Sequence, residues 1–187
     1  MCHGMMMFHF LMFVMRRQVN ISPLFFLDPF ARVENKRGGA WMDVVLSRND
    51  SIKPIANLVC NFSKDENSLM TFEEVKTLFH ETGHALQHML TSITNSTVSG
   101  IEGVEWDAVE LPSQFLENFL FDDATMRSIA RHYQTGEVMP QDTLAKLRHI
   151  HREYNSGIAT MRQLNFAALD LDLHLGDVNR DPIETQF

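Results

Sequence analysis

The chain has 187 residues, of which 44% are hydrophobic, 21% charged and 10% aromatic, with a formal net charge of −8. That apolar content excludes intrinsic disorder for most of its length, and 16 Lys and Arg against 24 Asp and Glu supply no basic face for nucleic acid. Two cysteines, Cys2 and Cys60, are too few for a disulfide scaffold or a thiolate zinc site, and they point to a reducing compartment.

The first 21 residues stand apart. Residues 1–15 are uncharged, rich in Met and Phe, and followed by Arg16 and Arg17. The run is too short for a roughly 20-residue membrane span. Its positive charges follow the apolar stretch, where a signal peptide would have them in front. A membrane role is not expected, and the plainer readings are a buried strand or residues misassigned at a truncated end.

From residue 22 the pattern reads as strands and loops to about residue 63. Leu24–Asp28 and Ile55–Phe62 are short apolar runs bounded by Pro, Asn and charged residues, as strands are. Between them, Lys36 to Met42 carries the pair Gly38-Gly39, the mark of a tight turn or a close backbone approach.

From about residue 71 the period becomes helical. Thr71-Phe72-Glu73-Glu74 is a capping box, and apolar residues recur at Phe72, Val75, Leu78, Phe79, Leu86, Met89 and Leu90. A second helix is expected over much of Asp107–Phe121, with Pro112 in its first turn. A third fits Asp123–Gln134. Leu144 to Leu175 reads as one long amphipathic helix or two in series, kinked at Gly157 and packed into a core. The chain is therefore expected to be mainly α with a small β portion. Charge is uneven along it: residues 61–126 hold 2 basic and 12 acidic residues, whereas each flank is close to balance. Such an excess suits either a solvated face or a divalent cation.

The first of these helices carries His80-Glu81-Thr82-Gly83-His84. Two histidines four residues apart share a helix face and can hold one zinc ion, with the intervening Glu placed to act on water. Gly83 costs about 1 kcal/mol relative to Ala in a helix interior, which signals a close approach on that face. Catalytic zinc commonly takes two His and one Glu. Glu110, within the acidic segment, is the candidate third ligand. His88 continues the stripe, but it lies about 12 Å along the axis from His80 at 1.5 Å per residue, so it cannot share the ion. It reads as a supporting or packing residue. A di-iron bundle would need a second Glu-x-x-His, and the chain has only Glu81–His84.

The run Leu78 to His88, with Ser99-Gly100 and Val104 to Phe119, resembles the zinc oligopeptidases of the thimet oligopeptidase and oligopeptidase A group. Phe26 to Arg32, Lys36 to Met42 and Leu58 to Phe62 resemble the strands and loop before that family's active-site helix. The Asp28-Pro29 and Gln87-His88 variants look closest to plant and algal members. The resemblance covers roughly residues 22–175 and implies a zincin-type fold, in which residues 22–187 form part of a longer catalytic domain. It implies that His80, His84 and Glu110 ligate one Zn²⁺ and that Glu81 is the general base in attack of zinc-bound water on a scissile amide.

Asp107, Gln114, Glu117 and His88 are the candidates to orient the ligands from behind. Leu58, Val59, Cys60 and Asn61 are the candidates for binding substrate, with the Ile55–Phe62 strand as an edge for a peptide main chain. The resemblance further implies short peptide substrates, a monomeric full-length enzyme and a cytoplasmic location, with mitochondrion or plastid as alternatives. Two departures stand out. Thr82 occupies a position where the family has a bulky apolar residue, which should alter packing and not metal binding. The family's Gly- and Tyr-rich substrate loop finds no counterpart around Tyr133 or Tyr154, so the alternative reading is a part-enzyme that keeps the zinc site without turnover.

Overall fold

A computed structural model describes residues 24–64, 69–154 and 156–175; the apolar segment 1–21 lies outside the described residues. The chain divides into two compact units, residues 1–138 and 139–187.

In the first unit three strands form one sheet: β1 (Leu24–Phe30), β2 (Trp41–Leu46) and β3 (Ile55–Phe62), in the order β1-β3-β2. β1 runs parallel to β3, from Leu24 opposite Ile55 to Phe30 opposite Phe62. The register slips between Asp28 and Phe30, at Pro29, which has no N–H to give to the ladder. β2 runs antiparallel, with Trp41 opposite Val59 and Val44 opposite Ala56. β3 is thus the central strand, with Ala56, Leu58, Val59, Cys60 and Phe62 buried. The edge position expected for β3 is corrected: its neighbours on both sides take up its main-chain groups along Ile55–Val59. β2 was not foreseen as a strand.

The segment between β1 and β2 must carry the chain from one side of β3 to the other. Lys36, in that crossover, is almost fully buried and pins it. Its ammonium donates to the carbonyls of Asp28 and Phe30 on β1 and of Cys60 on β3, and lies 3.2 Å from the Asp28 carboxylate. Gly39, at φ 93°, makes the left-handed turn into β2. Asn61 donates its side-chain amide to the carbonyls of Arg37 and Gly39, closing the loop onto the end of β3.

Helix α1 (Phe72–Met89) starts at the expected capping box. The Thr71 hydroxyl accepts from Glu74 N–H at 3.2 Å, and the Glu74 carboxylate accepts from Thr71 N–H at 2.8 Å. The other Glu74 oxygen accepts from Ser63 N–H, which ties the helix start to the chain leaving β3. Ala85 and Met89 of α1 pack with Ala56 and Leu58 of β3, with Phe25, Met42 and Leu86 around them. Thr82 is buried, and its hydroxyl donates to Leu78 C=O at 2.6 Å, which meets its need for a partner without leaving the helix.

A 3₁₀ turn lies at Gly100–Gly103, and the helix expected over Asp107–Phe121 is broken into short pieces: a 3₁₀ turn at Trp106–Ala108, helix α2 (Leu111–Glu117) with Pro112 in its first turn, and a 3₁₀ turn at Asn118–Phe121. Helix α3 (Asp123–Ile129), capped by the Asp122 carboxylate, is shorter than the expected Asp123–Gln134. A bridge between Arg131 and Val138 follows it.

The second unit contains α4 (Gln141–Arg148), a π-helical turn at His149–Tyr154 and α5 (Ser156–Leu175). α5 begins at Ser156, one residue ahead of the Gly157 expected as a kink. The core packing expected of this stretch is not realised on α5. None of its residues is buried, and Ile158, Met161, Leu164, Leu171 and Leu175 are each more than half exposed. Among the described residues no helix is long and apolar enough to cross a membrane.

Candidate metal centre

One turn of α1 places His80 and His84 side by side, with ring centroids 5.0 Å apart and planes nearly perpendicular. Glu110 reaches them from the residue that precedes α2. Its Oε2 lies 3.1 Å from His80 Nε2 and 3.4 Å from His84 Nε2, and one donor atom from each residue falls within 4.8 Å of the others. Two ligands about 2.05 Å from a tetrahedral zinc stand about 3.3 Å apart, so the carboxylate–imidazole spacings suit a shared ion. The donor chemistry suits it too. Ring nitrogens and a carboxylate oxygen this close together can share a proton or a divalent cation.

Burial and charge differ across the group. His84 is buried, and desolvation, opposed in part by Glu110, holds its pKa below the usual histidine value. Glu81, on the same turn, is also buried, and burial pushes its carboxyl up to about 6, against the pull of His80 and with the help of Glu110. The Glu110 side chain is half exposed.

The expected supporting residues separate clearly. Glu117 lies behind His80, with Oε1 2.7 Å from His80 Nδ1 and Oε2 3.3 Å from Lys76 Nζ. His88 is fully buried and faces elsewhere: its Nε2 meets Leu46 C=O at 2.9 Å, tying the end of α1 to β2. Gly100, at φ 61°, leaves the room that His88 needs, because a Cβ there would sit 2.4 Å from its Nδ1. Asp107 and Gln114 are exposed.

Leu58, Val59 and Cys60 are buried in the central strand, and Asn61 is engaged by the loop before β2. Burial, reinforced by Glu81, pushes the Cys60 thiol up to about 12, which leaves it inert as a nucleophile.

Sequence reasoning missed Ser113. It is fully buried, and its hydroxyl lies 2.7 Å from Glu110 Oε2. The available signal was its i+3 spacing from Glu110.

Two imidazoles and a carboxylate converge on one point, with a buried glutamate on the same helical turn, and the three donors form a group that could hold a metal ion. The chain belongs to peptidase family M3, whose sequence profile matches residues 11–187. It is 50% identical over 161 residues to the organellar oligopeptidase A, chloroplastic/mitochondrial, of Arabidopsis thaliana, a stretch covering 80% of this chain and 20% of that protein. To the probable cytosolic oligopeptidase A of the same plant it is 49% identical over 166 residues, 83% of this chain and 24% of the relative. To oligopeptidase A of Escherichia coli (strain K12) it is 48% identical over 158 residues, 80% of this chain and 23% of the relative. The chain therefore spans about a fifth to a quarter of the length of these relatives.

Proposed function

We propose that this chain carries the zinc site and general base of a metalloendopeptidase that hydrolyses short oligopeptides. The observation that carries the reading is the approach of one Glu110 oxygen to Nε2 of both His80 and His84, 3.1 and 3.4 Å away. His80, His84 and Glu110 would hold one Zn²⁺. When bound there, zinc supplies Lewis acidity, polarising the scissile carbonyl and acidifying water.

The remaining work belongs to the chain. Glu81 takes the proton of the attacking water and delivers it to the departing amine, so that the peptide C–N bond breaks with no net proton change at the site. Glu117 accepts from His80 Nδ1–H, which fixes the tautomer and turns Nε2 toward Glu110. For the substrate main chain the reading moves from β3 to β2. β2 is an edge strand among the described residues and antiparallel to β3, and it is tied to α1 through His88. Cytoplasmic residence is our reading of the compartment; the relatives include a cytosolic and an organellar protein.

One observation favours a second reading, in which the chain binds zinc without turning substrate over. The Glu110 side chain is half exposed, so the group meets water at that residue, and its sequence neighbours Trp106, Leu111 and Phe115 are 92%, 72% and 62% exposed. A short internally quenched peptide decides between the two. Cleavage by the zinc-loaded chain, abolished in Glu81→Gln with zinc retained, supports the peptidase. Zinc binding with no cleavage supports the second reading. Cleavage undiminished in Glu81→Gln removes Glu81 as the base.

A further inference from the structure

Of the three residues grouped around the centre, His80 and His84 are set by α1 itself, whereas Glu110 is not. It precedes α2 with φ −84° and ψ −5°, makes no cap through its side chain, and is half exposed. A long carboxylate side chain in that position has several rotamers open to it, and only some bring an oxygen to the histidines. Something must select among them.

Ser113 is placed to do so. It lies in the first turn of α2, is fully buried, and its Oγ stands 2.7 Å from Glu110 Oε2 and 2.9 Å from Glu110 C=O. A hydroxyl has one proton to donate, and both acceptors within reach belong to Glu110. The oxygen it meets is the same Oε2 that faces both imidazoles.

The approach of Ser113 depends in turn on Gly83. A Cβ at Gly83 would lie 2.5 Å from Ser113 Cα, 2.6 Å from Pro112 O and 2.8 Å from Ser113 N. These are backbone atoms, so any side chain at Gly83 would push the start of α2 away from α1. The glycine between the two histidines therefore sets how closely the Ser113–Glu110 pair can approach them.

We propose that Ser113 is the positioning residue for Glu110, seated against Gly83, and that its hydroxyl holds the Glu110 carboxylate in its metal-facing rotamer. The assignment rests on the reading of His80, His84 and Glu110 as zinc ligands. A serine that serves only to start a helix and fill a core position would affect stability alone.

The test uses the full chain and titrates Zn²⁺ and Co²⁺ into wild type, Ser113→Ala, Glu110→Ala and the double variant, with circular dichroism to confirm folding. Ser113→Ala should bind zinc roughly 10–100-fold more weakly, the usual cost of losing a group behind a metal ligand. It should also shift the visible absorption bands of bound Co²⁺. In the Glu110→Ala background the serine substitution should cost nothing further. Unchanged zinc affinity and an unchanged Co²⁺ spectrum would overturn the assignment, as would an equal loss with and without Glu110. Gly83→Ala provides a second approach through α2 and should shift the Co²⁺ bands while leaving both side chains intact; an unaltered spectrum counts against the proposal. If wild type itself binds no zinc, the ligand reading falls and this assignment with it. A failure confined to Ser113→Ala leaves the ligand reading standing.

Discussion

Nδ1 of His80 lies 2.7 Å from Oε1 of Glu117, and the second oxygen of that carboxylate faces Lys76 Nζ at 3.3 Å. A residue of α2 thus meets the ring of a residue on α1. With Nδ1–H given to the carboxylate, the Nε2 lone pair is left for the centre. Glu117→Ala should weaken zinc binding roughly 10–100-fold while the chain stays folded. Competition against a chromophoric chelator measures this, and an affinity equal to wild type would remove Glu117 from the support of the site.

Lys36 offers a test of what holds the sheet in order. Its buried ammonium serves carbonyls on β1 and β3 at once, and nothing apolar can replace those bonds. Lys36→Met should lower stability by on the order of 3 kcal/mol, since each buried acceptor left without a donor costs about 1–3 kcal/mol. Urea denaturation reads the change. A loss below about 0.5 kcal/mol would place Lys36 with ordinary surface substitutions.

Asp28 adds a pH dependence of known sign. The bidentate Arg32 guanidinium, at 2.7 Å to each oxygen, and Lys36 behind it hold its carboxyl down to about 2, from an ordinary value of 3.8. A carboxylate depressed in the folded state stabilises fully above its unfolded pKa, and that contribution disappears as pH falls through the folded value. The loss belongs between about pH 4 and pH 2. Because the side chain is a third exposed, water screens part of the effect. Over that interval the urea midpoint of wild type should fall more steeply than that of Asp28→Asn. Parallel curves would show that the pairing contributes nothing to acid sensitivity.

What the sequence discloses, and what it hides, follows from the range of the interactions involved. β3 was legible because eight residues from Ile55 to Phe62 form a bounded apolar run, and α1 because the Thr71–Glu74 box and the apolar period are local. The grouping of His80, His84 and Glu110 was legible from helical spacing together with family resemblance.

β2 was not legible. Its residues alternate poorly, with Asp43, Val45 and Leu46 exposed beside the half-buried Trp41, Met42 and Val44, and the adjacent Gly38-Gly39 drew the reading toward a turn. The central place of β3 depends on pairings between distant segments, which no local pattern encodes. Ser113 was hidden for a similar reason: a serine near a helix start looks like ordinary helix-start chemistry until Gly83 is seen against its backbone. The apolar stripe of α5 was legible as a helix, but periodicity identifies a face and does not say what covers it.

The most direct measurement is calorimetric titration of Zn²⁺ into the purified, metal-stripped chain and into Glu110→Ala. The account predicts about one zinc per wild-type chain. Loss of a direct ligand should weaken binding in Glu110→Ala by more than the roughly 10–100-fold typical of a residue behind a ligand. Equal affinity in the two proteins would contradict the assignment of Glu110, and no binding by wild type would contradict the zinc site altogether.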